Sequence, residues 1–516
     1  MIRTEVIASI STLLLGHADT RGEKVAFADP HGAVTYGDLM RTTGNLAGAL
    51  ASVGVSPGDA VAILLPNSVA WVQSCLAINR AGALAVPIGY DASPPEIVYR
   101  MVDAGCKALI TADDVLDAVM RIRSQVPALT TVICVGTGAT PSGVLRFGDL
   151  IASSPPNGPL DPGAIDQPAF ILYTSGTTGR AKGVVLSVRS MLWVTAACWM
   201  PIVGLCEHDH LLSPLPLVHS YALNLSVLSV LATGASVYIM PKYSTGEVLR
   251  LLDNGPYTIL PGVPTTFHYL LQGAGPKPSL GRLKLCISAG AIMPASLNRA
   301  FEAAFEVPLL DGYGITETST MVTMNWPIGT RVLGSCGLPV PGLAVRIIDP
   351  ASGADVEAGT EGELIVRGPS LMSGYHNKPQ ESAAALKGGW YHTGDLAKAD
   401  PNGYLAITGR LKELIIRGGM NIAPAEIEEV AGTFEGVLDC AVVGAGHALL
   451  GEVPVIFVVP RSGYAPDAAK LLEFLRKRLS AYKLPHAVHF VDEIPRTGSG
   501  KILRFRLRER LGAPLG

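Results

Sequence analysis

The chain has 516 residues, with 40 Lys plus Arg against 43 Asp plus Glu, and 48% of its side chains are apolar. That length exceeds what one hydrophobic core supports and predicts two or more domains, while the near-neutral charge removes any general electrostatic case for nucleic acid or an anionic membrane as partner. The eight cysteines stand singly, with no Cys-x-x-Cys, which fits neither a zinc site nor a disulfide framework and suits a reducing cytoplasm.

In chain order, the apolar run Val6 to Leu15 follows Glu5 and has only Arg3 for positive charge, so no secretory leader is expected. Tyr36 to Val53 has helical periodicity and ends at Gly54; Ala60 to Leu65 reads as a strand closed by Pro66, Val69 to Arg80 as a helix, and Ala83 to Ile88 as the next strand. Strand and helix in turn imply crossover units and a largely parallel sheet. Pro155, Pro156, Pro159 and Pro162 mark a connecting passage. The alternation resumes with strands expected at Pro168 to Leu172, Val184 to Leu186, Leu211-Leu212, Ala235 to Met240, Thr258 to Leu260, Leu283 to Ser288 and Pro308 to Leu310. The two most apolar stretches, Ser190 to Cys206 and Tyr221 to Met240, are broken by Pro201 and by Asn224 and Gly234, so both read as core rather than membrane spans. After Thr318 the pieces shorten, as in Leu343 to Ile348 and Gly362 to Arg367, which predicts a small, mostly β subdomain. From about Gly409 the chain has its own core-forming runs, Val437 to Val443 and Val453 to Val459, and an amphipathic helix, Asp467 to Ser480. The fold class expected is α/β: an N-terminal domain over 1–408 of parallel-rich α/β subdomains plus the β subdomain, then a smaller α+β domain over 409–516.

The first stretch with chemistry is Tyr173-Thr174-Ser175-Gly176-Thr177-Thr178-Gly179-Arg180-Ala181-Lys182-Gly183, on a loop between two expected strands. Its glycines let amide N–H groups converge on one anion, and its hydroxyls and Lys182 add donors and a positive charge, so it suits phosphate. It is not a Walker A loop, because Lys182 lies between Ala181 and Gly183 and does not open a helix. Next comes Asp311-Gly312-Tyr313-Gly314-Ile315-Thr316-Glu317, directly after the strand Pro308 to Leu310. Ligands bind at the carboxyl ends of strands in open α/β sheets, so an aromatic, a hydroxyl and a carboxylate there suit a nucleotide and its metal; alone, the segment is also a turn capped by Thr316. Two more follow, Gly389-Trp390-Tyr391-His392-Thr393-Gly394-Asp395 and the run from Gly409-Arg410 through Lys412 and Gly418-Gly419 to Ile422. An aspartate can accept two hydrogen bonds from vicinal ribose hydroxyls, although alone each motif is equally a surface turn or a salt-bridged arginine. The last, Pro495 to Arg504, places Gly498 and Gly500 just before Lys501.

In this order and spacing the set resembles the adenylate-forming superfamily, in its acyl-CoA synthetase branch, over roughly residues 25 to 510. The resemblance implies an ATP-dependent ligase that converts a carboxylic acid to an acyl-adenylate and then to a CoA thioester, with ATP, Mg²⁺ and coenzyme A. It implies that Thr174, Ser175, Gly176, Thr177, Thr178, Gly179 and Lys182 hold the leaving phosphates, and that Gly290 and Ala291, in Ser288-Ala289-Gly290-Ala291, line the adenine and acyl sites. Asp311, Gly312, Tyr313, Gly314 and Thr316 fall at the nucleotide, with Tyr313 against adenine, and Glu317 with Thr178 at the metal. Asp395 and Arg410 fall at the ribose, Lys412 at a hinge, Gly418 and Gly419 at a pantetheine tunnel, His219 at the acyl pocket, and Lys501 at the adenylation step. The family has Pro where Ala181 stands and a Ser/Thr-His pair where Ser187-Val188 stands. Relatives that load a carrier protein, that perform one half-reaction, that only bind, or that emit light share the fold, and the Gly-Gly loop favours the CoA ligase. Tyr221, Ala222, Leu223, Ala291, Met321 and Met324, expected at the acyl pocket, are apolar or small, which favours an apolar monocarboxylic acid over a dicarboxylate. Arg417 is a cation available to a CoA phosphate or to solvent. No nucleic acid and no transmembrane segment are expected, and a homo-oligomer is left open.

Overall fold

The computed structural model describes residues 1–174, 180–275, 280–418, 420–496 and 502–511. Two large sheets dominate. One has eight strands in the order 374–375, 182–187, 168–174, 84–87, 60–64, 108–112, 131–135, 144–146; the other has nine, in the order 338–339, 320–324, 309–315, 285–288, 259–262, 210–213, 236–239, 25–29, 32–35. Their central pairs are parallel, as the strand and helix alternation requires.

The period-2 geometry of a strand explains why the sequence is so apolar. Val61 and Ile63 point into one core cluster while Ala60, Ala62 and Leu64 point into another; Leu211 and Ile259 face the first, and Leu212 and Leu260 a third. Both faces of both sheets are therefore covered, which needs continuous apolar strands rather than alternating ones. The shared cluster holds the helices Tyr36–Ser52 and Val69–Arg80 and the two apolar stretches around Trp199 and Leu225, each of which contains a π-helical turn. Among the described residues no helix is long and apolar enough to cross a membrane.

At the end of the helix Val69–Arg80, Arg80 is 2% exposed and donates through Nε and Nη2 to both oxygens of Asp161 at 2.7 and 2.8 Å, and through Nη1 to Thr43 Oγ1 at 2.8 Å. This bidentate pair pins the proline-rich passage to the end of that helix. All eight cysteines are free thiols, and only Cys206 is exposed.

A four-stranded antiparallel sheet (344–348, 362–367, 391–399, 405–410) forms the β subdomain. Beyond the short helix Leu411–Glu413, a second unit wraps a sheet of 415–417, 420–422, 437–447, 451–460 and 487–490 with the helices Pro424–Gly432 and Ala468–Arg476.

One element runs further than the sequence suggests. The strand expected to stop at Leu310 continues as Leu309–Ile315, through the Asp-Gly-Tyr-Gly motif, and pairs antiparallel with Thr320–Met324. Side chains at Gly312 and Gly314 would collide with Met321 and with the Thr320 carbonyl, so these glycines admit a close partner strand rather than a turn. The reversal falls on Thr316–Thr318, with Ser319 (φ 57°) and Thr320 (φ 113°) in the left-handed region directly after it, two and three residues beyond Glu317.

Candidate active site

Parallel strands deliver their ends to one place. Ser288 and Asp311 are neighbours in register, and each has a buried side-chain oxygen, Ser288 Oγ and Asp311 Oδ1, without a protein partner. Burial holds the Asp311 carboxyl well above the usual carboxylate range. Gly290, at φ +87°, and Ala291 follow that strand end, with Ala291 exposed.

Two residues further along, Tyr313 Oη donates to Asp395 Oδ2 at 2.5 Å. Asp395 lies on the strand Tyr391–Ala399, directly opposite Arg410 in register, and its Oδ1 accepts from Arg410 Nε at 2.7 Å. Its carboxylate is 2% exposed, so two charge-assisted bonds hold it in a desolvated position. The Asp395 charge raises Arg410 above its ordinary value, and burial raises the Tyr313 phenol. Behind this trio, Glu363 accepts from the Gly394 amide at 3.1 Å and pairs with His392 Nδ1 at 3.0 Å, which fixes the part of the strand that presents Asp395.

Glu317 sits in the strained reversal, and Tyr375 Oη donates to its Oε1 at 3.1 Å. The Tyr375 hydroxyl is also 3.4 Å from that of Tyr391. The ring of Tyr375 lies 5.0 Å beneath the Lys182 ammonium, and Lys182 pairs with Glu381. Thr174 and Lys182 are register partners on adjacent strands. Ser175, Gly176, Thr177, Thr178 and Gly179 lie outside the described residues, but the downstream flank of their loop is anchored: Tyr99 Oη donates to the Ala181 carbonyl at 2.8 Å, and Arg180 stacks on the Tyr99 ring at 5.6 Å.

His219 immediately precedes the short helix beginning at Ser220, whose Oγ is 3.4 Å from Thr316 Oγ1, so the His219 segment abuts the Glu317 turn. Next to it, Tyr221 Oη donates to the Ile287 carbonyl at 3.1 Å and its ring stacks on Trp199; Trp199 Nε1 donates to Asn224 Oδ1 at 2.6 Å. Ala222, Leu223, Met321 and Met324 join this wall, all essentially unexposed.

Thus Thr174, Lys182, His219, Gly290, Ala291, Asp311, Gly312, Tyr313, Gly314, Thr316, Glu317, Asp395 and Arg410 fall on segments tied to one another by these contacts. Lys412 lies in the connecting helix Leu411–Glu413, with its charge felt at Glu381. Gly418, at φ +56°, is on the hairpin 415–422 of the C-terminal unit, where its amide donates to the Leu450 carbonyl at 2.7 Å. Gly419 and Lys501 lie outside the described residues. Arg417 Nη1 donates to the Tyr482 carbonyl at 2.6 Å. Tyr375, Glu363 and Glu381 carry no motif signal by which sequence alone would find them; Tyr391 stands inside a quoted motif, but its role depends on a neighbour 16 residues upstream.

The donor set fits a nucleotide with a hard divalent cation. Two orphaned buried oxygens face a single edge, a buried carboxylate suits a diol, and a second carboxylate, oriented by a phenol, offers an oxygen ligand. Residues 15–376 match the family described as AMP-binding enzyme, and 426–501 its C-terminal domain. A feruloyl-CoA synthase of an Amycolatopsis species is 35% identical over 496 residues, 94% of this chain and 96% of that protein. The indoleacetate–CoA ligase of Aromatoleum aromaticum is 36% identical over 502 residues, 96% of each. The anthranilate CoA ligase AuaEII, solved with anthranoyl-AMP, superposes with a TM-score of 0.91 at 28% identity, covering 97% of both chains.

Proposed function

The chain belongs to the AMP-binding enzyme family as an ATP-dependent acid–CoA ligase, and from that premise we propose which of its residues carry the two half-reactions and which acids it accepts. A carboxylate is a poor electrophile, and joining it to AMP supplies a leaving group. The first step brings a carboxylate oxygen to the α-phosphorus and expels pyrophosphate, so two anions must be held together by positive charge and aligned donors.

Lys182 and the loop Thr174 to Gly179 hold the departing phosphates. Asp395 and Arg410 hold the ribose, with Tyr313 against the base and Asp311 at its polar edge. Lys501 is the cation at the point of attack. Glu317, braced by Tyr375, and Thr178 would hold Mg²⁺, which when bound neutralises phosphate charge. For the second step, residues 409–516 turn about Lys412 relative to 1–408, which exchanges Lys501 for the Gly418-Gly419 stretch and admits the CoA thiol.

The acid is an apolar monocarboxylate, and an aromatic one fits best. The observation that carries this is the wall of Trp199, Tyr221, Leu223, Met321 and Met324, whose polar groups, the Trp199 indole N–H on Asn224 and the Tyr221 hydroxyl on the Ile287 carbonyl, are both satisfied within the protein. No lysine or arginine stands among these residues to meet a second carboxylate, which would have to be desolvated unpaired. Feruloyl-CoA synthase and indoleacetate–CoA ligase, named for acids bearing a ring, agree with it. With ferulate, indoleacetate, benzoate, hexanoate, malonate and succinate as substrates and the CoA thioester measured by mass spectrometry, a ring-bearing acid is expected to exceed both dicarboxylates in kcat/KM by about a hundredfold or more. Preference for malonate or succinate overturns this reading.

The raised carboxyl of Asp311 gives a pH signature. A group whose folded pKa exceeds its unfolded value of about 3.9 contributes most at acid pH, and that contribution is lost as pH rises toward the folded value. Asp311→Asn keeps an acceptor oxygen and removes the titration. The variant is therefore expected to gain stability relative to the parent as pH rises from 5 to 8. Urea midpoints at several pH values check this, and a constant difference between the two proteins contradicts it.

A further inference from the structure

Lys182 opens the strand 182–187 directly at the exit of the phosphate loop. Its ammonium pairs with Glu381, whose helix Pro379–Ala385 is fastened to the same sheet: Gly374 and Tyr375 pair with Val185 and Val184, and Ser382 Oγ accepts from the Tyr375 amide at 2.8 Å and donates to the Lys378 carbonyl at 2.7 Å. Carboxylate and ammonium are thus carried on neighbouring rigid elements. Lys378 Nζ is 3.8 Å from the same carboxylate, and Lys182 rests on the Tyr375 ring, whose hydroxyl reaches Glu317. The pairing with Lys182 is the foremost reason Glu381 is held below its ordinary value, with Lys378 and Lys412 adding to it.

We propose that Glu381 is a positioning residue that competes with the pyrophosphate end of ATP for the Lys182 ammonium. It thereby weakens the grip on the triphosphate and recaptures the lysine as pyrophosphate leaves. This rests on Lys182 being a phosphate ligand, as proposed above. The N–H and the share of positive charge that the ammonium gives to Glu381 are withheld from a phosphate at the same atom, so what Glu381 gains is subtracted from nucleotide binding. At most surface pairs so small an energy has no readout, but here it falls on an atom the substrate needs.

The test uses the full-length enzyme and titrates ATP and pyrophosphate separately by calorimetry, because Glu381→Gln keeps the shape of a half-exposed side chain and leaves the fold intact. Both dissociation constants are expected to fall together by about two- to fivefold, the range an exposed ion pair supports; an unchanged or higher value for either ligand overturns the proposal. Lys182→Ala separates the two layers of argument. If it leaves ATP binding unchanged, the phosphate role of Lys182 fails; if it weakens ATP while Glu381→Gln has no effect, only the competition fails. In the Lys182→Ala background Glu381→Gln is expected to have no effect, and a persisting gain in affinity would mean that Glu381 acts through its general field.

Discussion

Replacing Asp395 by alanine is expected to lower kcat/KM for ATP by about 10²–10³, the loss of two hydrogen bonds donated by neutral hydroxyls to a charged acceptor. The carboxylate is 2% exposed, with Tyr313 on one oxygen and Arg410 on the other, so its rotamer is set before any diol arrives. Each oxygen accepts more than one hydrogen bond, and the ribose can therefore join these partners rather than displace them. Removal also leaves the Arg410 Nε without its acceptor. That costs stability by about 1–2 kcal/mol, less than a fully buried pair, because the Arg410 side chain is 37% exposed and water replaces part of the bond. Asp395→Asn is expected to fall between alanine and the parent, since its amide nitrogen would face a donor on one side. Initial rates against ATP at saturating acid and CoA, with a urea midpoint for each variant, separate binding from stability. If alanine shifts only the midpoint and leaves kcat/KM within twofold, Asp395 is a structural brace for the β subdomain and nothing more.

The partners of Asp395 show what sequence conveys about such a site. Tyr313, Asp395 and Arg410 each stand in a local motif with a chemical reason for its residue types, so the ends of the network were legible. That Asp395 and Arg410 are register partners across one sheet was not, because register depends on a bulge between Leu396 and Ala397 that no local pattern announces. Glu363, Tyr375 and Glu381 were illegible for a related reason: each acts on a motif residue distant in sequence, and a lone Glu or Tyr in an ordinary strand or helix has no distinguishing periodicity. At the level of elements, the helix Val69–Arg80 and the strand Gly362–Arg367 match their expected limits, because apolar period and turn residues agree there. The strand through Asp311 to Ile315 did not stop at Leu310, because glycine spacing reads as a turn until a partner strand is known to press against it. The α/β class with a smaller C-terminal unit follows from composition and alternation; the π-helical turns at 195–199 and 223–228 do not, since they leave the apolar pattern nearly helical.

Lys501→Ala is the second large effect and distinguishes the proposed division of labour from a site that does everything in one place. ATP–pyrophosphate exchange is expected to drop by about 10²–10³, the range for removing one preorganised electrostatic donor from a reacting centre. Thioester formation from a supplied acyl-adenylate and CoA is expected to stay within a few fold of the parent. The asymmetry follows from where charge develops: attack on the α-phosphorus concentrates negative charge between two anions, whereas a thiolate attacking the acyl carbon expels AMP, whose adenosine remains gripped by Tyr313, Asp395 and Arg410. The two alanine variants should therefore differ in kind. Asp395→Ala impairs both half-reactions, because the same adenosine is held in each, and Lys501→Ala impairs only the first. The connecting helix Leu411–Glu413 makes such a separation mechanically feasible, since the last strand of the β subdomain ends at Arg410 and the next sheet starts only at Ile415. Equal loss in both half-reactions for Lys501→Ala would place its charge at the acyl group throughout, and exchange of one cation for a glycine stretch between steps would have to be given up.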